Sequence, residues 1–128
     1  MKRLEVVAID ISGRHAEGGR YIMVSAAVSA DISPIALERV YEVRQIQRTS
    51  RRLNLNVVVD VISDAVRGLE GLVIAEQGDL YNLEAWRIES ILGRRFKYPE
   101  SLGERLLVEL AHHISISGRR MLLAFGED

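Results

Sequence analysis

The stretch Leu4 to Gly13, LEVVAIDISG, limits the possible folds more than any other part of the chain. Its run from Val6 to Ile9 is apolar without alternation, so both faces need cover, as for a central strand between two layers. The run ends on a single carboxylate, Asp10, and then turns at Ser12 and Gly13. The other segments matter for what they could place beside that acid.

The polar stretch Arg14 to Arg20 ends in Gly18 and Gly19 and suits a hairpin connection. It leads into an antiparallel second strand over 21–30, with Ile22, Val24 and Ala26 on one face and Tyr21, Met23 and Ala27 off it or near a bulge. The next segment reads two ways. Ser33 and Pro34 form an N-cap and N1 pair, and Leu37, Val40 and Tyr41 have helical spacing. Arg39 to Arg48 also alternates and is rich in strand formers. A short turn at 34–37 and a third strand is the reading carried forward.

From Asn56, taken as an N-cap, Val58, Val61, Ile62, Ala65, Val66 and Leu69 form an i, i+3, i+4 helical stripe. Gly68 and Gly71 bracket its end. Leu72 to Ala75 is a second short buried run, and it too ends on an acid, Glu76. Asp79 or Asn82 is expected to cap a second helix with Ala85, Ile88, Ile91 and Leu92 inward and Gly93 as its stop. An edge strand over 94–98 follows. Pro99 leads into a third helix with Leu102, Leu106, Leu107, Leu110, Ala111 and Ile114 inward; Gly118 is expected to end it, leaving 119–125 as a last strand or docked tail.

A chain of 128 residues, 48% hydrophobic, is long enough for one domain over 1–128 with a real core. No run reaches the ~20 apolar residues of a membrane helix, and no signal-peptide core follows the basic start. A soluble, cytoplasmic protein with no membrane partner is expected. Without cysteine there are neither disulfides nor thiolate metal sites. The net charge of -1 excludes a strongly basic nucleic-acid coat. Of the 17 basic residues, however, only Lys2 and Lys97 are lysines, and arginine offers planar paired donors suited to phosphate.

Two apolar strands that each end in an acid bring Asp10 and Glu76 together if the strands are parallel neighbours joined by a right-handed crossover. Like charges held that close call for a proton or a cation, and Mg²⁺ or Mn²⁺ prefers oxygen ligands. An acid ending the first strand, a hairpin, a helix, a strand ending in an acid, and later acids opening a final helix resemble the ribonuclease H-like fold. The closest resemblance is to its Holliday-junction-resolvase branch, carried by AIDISG at 8–13 and IAEQG at 74–78. The chain is also similar to a small archaeal family of uncharacterised proteins.

The resemblance implies an α/β fold: a mixed sheet, antiparallel over strands 1–3 and parallel over strands 4–5, with helices packed on it. It further implies Asp10 and Glu76 as ligands of Mg²⁺ or Mn²⁺, with Glu100 and Glu104 of YPESLGER completing a catalytic set and Glu104 as a further ligand. Two divalent ions in such enzymes activate a water and stabilise the leaving oxygen in phosphodiester cleavage. The branch's closely spaced Asp pair is missing here. Arg48, Arg51, Arg52, Arg94, Arg95 and Lys97 are candidate contacts to the backbone of structured DNA or RNA, and the pair Arg119 and Arg120 could hold a phosphate backbone as well.

Each residue also has a plainer structural role open to it. Ser101 and Glu104 fit a capping box, Glu100 a first-turn acid, Asp10 a turn former, Glu76 a strand-end surface residue, and the arginines a solvated surface. Adjacent His112 and His113 face different ways and suit a helix-end dipole; His15 suits a solvated loop. GxGxxG in a strand-to-helix setting, GxxxxGK[ST] and GxSxG are all absent. A metal-dependent nuclease is therefore the first expectation. A non-catalytic ribonuclease H-like module binding nucleic acid or protein is the alternative, and an assembly protein forming a homodimer through its long second strand is a third.

Overall fold

The structure, a computed structural model, describes residues 4–125. Strands β1 (Leu4–Ser12), β2 (Tyr21–Ile32) and β3 (Leu37–Ser50) come first, followed by helix α1 (Leu55–Val66). Strand β4 (Leu72–Ala75) and a 3-10 turn (Gln77–Leu80) precede α2 (Ala85–Leu92), β5 (Phe96–Lys97) and the long α3 (Leu102–Phe125). The sheet order is β3-β2-β1-β4-β5. The pairs β1–β2 and β2–β3 are antiparallel, and β1–β4 and β4–β5 are parallel. This is the mixed sheet expected from the sequence.

The two sheet faces bury different residues of the same strands. Val7, Ile9 and Ile11 of β1, Met23 and Ala27 of β2, and Val73 and Ala75 of β4 pack with the buried residues of α1 and with Ile88 of α2. Val6, Ala8, Ala26, Val28, Leu72 and Ile74 pack on the other side against Leu107, Val108 and Ala111 of α3. The apolar run Val6 to Ile9 is therefore covered on both sides and is at most 1% exposed. Each of its branched side chains contributes about 1.5–3 kcal/mol through that burial. Met23 and Ala27 belong to the second covered face of β2.

The turn and third strand carried forward for 34–48 are what forms, not the helix, while expectations about two helix caps and one edge are corrected. The Ser33 N–H donates to the Ala36 carbonyl at 2.9 Å, closing a tight turn, and β3 then pairs along β2 from Leu37 to Ser50, with irregularities in register after Ser29 and Asp31. The N-cap of α1 is Asn54, not Asn56; its side chain accepts from the Val57 N–H. Asp79 lies in the 3-10 turn, and the N-cap of α2 is Glu84. Because β2 lies between β1 and β3, it has no free edge with which to pair another chain.

The largest correction concerns the C-terminal segment, where 119–125 continue α3 as helix. Gly118 sits inside that helix as a close-packing residue, because a Cβ there would fall 2.7 Å from the Gln45 side chain. Gln45 reaches that position to donate to the Ile114 carbonyl at 2.9 Å.

Candidate active site

Alternation along β1 decides where Asp10 looks. Val6 and Ala8 face α3, so Asp10, one period further, faces α3 as well. The parallel ladder between β1 and β4 ends at Ile9↔Ala75. One step further along that register stand Asp10 and Glu76, and the parity of Leu72 and Ile74 turns Glu76 to the same face. Both acids line one open cleft of about 580 Å³, together with Gly78, Asp79, Arg105, Val108, Glu109 and His112.

Asp10 is 4% exposed and firmly held. Its Oδ2 lies 2.6 Å from Ser115 Oγ and 3.2 Å from His112 Nδ1. Ser115 Oγ also lies 3.0 Å from the His112 carbonyl and 2.7 Å from Ser12 Oγ. One hydroxyl has a single proton to give, and the shorter bond to a carboxylate is the stronger use of it. Ser12 then donates to Ser115, so the charge on Asp10 is supported by hydroxyls in series.

Glu76 ends β4 and opens the 3-10 turn that carries Asp79. Arg14, in the connection after β1, donates from Nη1 to Asp79 Oδ1 at 3.2 Å and to the Gly78 carbonyl at 3.1 Å. Asp79 Oδ2 is buried and, among the described residues, has no hydrogen-bond partner. Burial first, and then the charge of Asp10, push the Asp79 carboxyl up to about 6, against the opposing pull of Arg14. The turn closes through Tyr81 and Asn82, both left-handed at φ 57°. Asparagine tolerates that region better than tyrosine does. Arg14 lies over the Tyr81 ring at 5.2 Å, a contact that helps hold the strained residue in place.

The far wall comes from α3. Arg105, Glu109 and His112 recur at i, i+4 and i+7 and form a polar stripe beside the apolar one of Val108 and Ala111. The cleft thus gathers acids from β1, the end of β4, the 3-10 turn and α3, and its basic side chains are Arg105 and His112. His112 is not a partner of the helix dipole: α3 runs on to Phe125, so the residue is mid-helix, and its ring meets the buried Asp10.

The structure brings Asp10 and Glu76 together and leaves Glu100 and Glu104 outside the cleft lining. Glu104 Oε1 accepts the backbone N–H groups of Glu100 and Ser101 at 2.8 and 3.0 Å, while Ser101 Oγ accepts the Glu104 N–H at 3.1 Å. That is a capping box. Lys97 Nζ stands 2.9 Å from both Glu104 and Glu100. Burial alone would raise the Glu104 carboxyl; the bonds from Lys97, Ser101 and Glu100 outweigh it and hold the group below its ordinary value.

None of the arginines singled out in the sequence lines the cleft either. Arg48 pairs with Asp64, and Arg94 donates to the carbonyls of Val66 and Gly71. Arg51, Arg52 and Arg95 are exposed. Asp79, Glu109, His112, Arg14 and Arg105 were not picked out as site residues from the sequence. The i, i+4, i+7 spacing of Arg105, Glu109 and His112 was the one legible signal for three of them.

A model of proteins conserved in archaea, described as uncharacterized (DUF2209), matches residues 7–123. The chain belongs to this archaeal family. It is 28% identical over 120 residues to the uncharacterized protein MJ0095 of Methanocaldococcus jannaschii, an alignment covering 91% of this chain and 95% of that one. Among solved structures it is similar to ribonuclease HII in the PCNA:RNase HII complex from Archaeoglobus fulgidus. The TM-score is 0.54 at 13% identity, covering 97% of this chain and 79% of that one. At such identity the likeness establishes the fold alone, a ribonuclease H-like mixed sheet in this chain. Among the described residues no helix is long and apolar enough to cross a membrane.

Proposed function

We propose that this protein is a metal-dependent nuclease that cuts phosphodiester bonds in structured DNA or RNA, with Asp10 and Glu76 holding Mg²⁺ or Mn²⁺. One observation carries the reading: the parallel ladder of β1 and β4 runs out where the two acids stand side by side, facing an open cleft. The donor chemistry fits a hard cation, because carboxylate oxygens dominate the lining and sulfur is absent. Among the described residues, no three His, Asp or Glu side chains form a ready cage. Mg²⁺ commonly needs none, being held through one or two carboxylates with waters and substrate phosphates.

A bound divalent ion would supply positive charge to the phosphodiester oxygens and lower the pKa of a water. The chain's own residues do the positioning. Ser115 and His112 fix the rotamer of Asp10, and Arg14 fixes Asp79 in the same cleft. Arg105 offers the cleft a guanidinium that has no ion-pair partner among the described residues, suited to a phosphate oxygen.

The test is Mn²⁺ titration by calorimetry beside cleavage assays on branched DNA, duplex DNA and RNA–DNA hybrids. Asp10→Asn and Glu76→Gln are expected to weaken ion binding at least tenfold and to abolish cleavage. Wild-type protein that binds nucleic acid equally well in chelator and never cuts would refute the reading in favour of a binding module.

A further inference from the structure

A second cavity of about 420 Å³ adjoins the acidic cleft and shares His112 with it as a wall. Its lining includes Gly13, Arg14, His15, His112, Arg119 and Arg120, and among the described residues it contains no acid. We propose that this basic cavity seats a backbone phosphate of the nucleic-acid strand whose neighbouring phosphodiester lies over Asp10 and Glu76. The inference rests on the reading of the acidic cleft as a phosphodiester site.

Two of the three guanidinium groups, those of Arg14 and Arg119, are arranged before any ligand arrives. Arg119 Nε donates to the Ile22 carbonyl at 2.8 Å, and its Nη2 meets Glu17 at 2.5 Å. Two of its five N–H donors are thereby used, and the rest of a planar fork stays available. Gly13 makes this possible. At φ +94° a Cβ would sit 2.0 Å from the Ile22 carbonyl oxygen and 2.5 Å from Arg119 Nε, in the space the arginine occupies. Arg14 is pinned from the acidic side by Gly78 and Asp79.

Charge balance points the same way. Arg14 is offset by Asp79 and Arg119 by Glu17, while exposed Arg120 has no ion-pair partner among the described residues. The cavity therefore has positive charge to spare next to a cleft that repels phosphate unless a cation is present. A strand crossing both would meet complementary charge at each phosphate, and pre-oriented arginines lose little side-chain freedom in binding it.

Fluorescence anisotropy of a fluorescein-labelled RNA–DNA hybrid, measured in EDTA, tests this separately from catalysis. Arg120→Ala should weaken binding and lower the salt slope by about 1, so that its deficit shrinks about threefold between 50 and 200 mM salt. Glu17→Gln, which frees Arg119 from its acid, should tighten binding and steepen the slope; Asp10→Asn should bind at least as well as wild type. Both Arg120 and Glu17 are exposed, so folding is not at stake. If Arg120→Ala and Glu17→Gln bind as wild type does, or if wild type does not bind, the cavity assignment fails. If these variants behave as expected and no ion binding or cleavage is found, the nuclease reading fails and the phosphate seat stands.

Discussion

Replacing Asp79 by asparagine should change the pH dependence of folding in a direction opposite to that of most carboxylates. In the folded protein burial and the neighbouring Asp10 raise its carboxyl from 3.8 to about 6. The native state therefore holds that proton more tightly than the unfolded chain does. Stability falls as pH rises through this window, by up to ~1.4 kcal/mol per unit, and levels off above it. Across the whole window the displacement amounts to about 3 kcal/mol. An asparagine side chain has no such titration and keeps nearly the same shape, so the stability of Asp79→Asn relative to wild type should rise by about 3 kcal/mol between about pH 3.5 and 7. Any constant loss from the Arg14 contact drops out of that difference. Urea denaturation at a series of pH values reads it as a shift of roughly 1–3 M in relative midpoint, given m-values of about 1–3 kcal/mol/M. Parallel stability curves for the two proteins over that range would show that Asp79 is not held protonated by its burial, and the electrostatic account of the cleft would fall.

Two further outcomes test how the surroundings of the site are built. Gly13→Ala should destabilise by more than about 2 kcal/mol, because the new Cβ would lie 2.0 Å from the Ile22 carbonyl oxygen at a left-handed φ; a urea midpoint equal to wild type would contradict the close approach. Glu104→Gln should cost about 1–2 kcal/mol through the weakened capping box and Lys97 pair, while leaving Mn²⁺ affinity unchanged by calorimetry. Since Glu104 is held below its ordinary value, its contribution is present above about pH 4.5 and is lost as pH falls through the lowered folded value. The variant should therefore lose its disadvantage in acid.

Much of this organisation was legible from local pattern. The unalternating run of β1 announced cover on both faces, and the repeat of strand-then-acid at Ala75 and Glu76 announced a partner for Asp10. The apolar stripe of α1 and the Gly93 stop of α2 follow from spacing and backbone freedom that belong to a few neighbouring residues. Where local pattern was ambiguous, contacts at a distance decided. Ser33 and Pro34 suit a helix start as well as a turn, and pairing along β2 chose the turn. Gly118 suits a helix stop, and the Gln45 side chain made it a packing position inside a longer helix.

The cleft divides along the same line. Asp10 and Glu76 could be paired on paper because a parallel ladder and a period of two carry each acid to a known face. His112 and Ser115 could not, since their meeting with Asp10 depends on α3 crossing the same sheet face. The contact from Ser115 to Asp10 spans 105 residues of chain, and no repeat of 2 or 3.6 residues carries information over that distance. Periodicity told each strand and helix which side to bury; only the packed sheet, with α1 on one face and α3 on the other, decided which polar side chains share a cleft with Asp10.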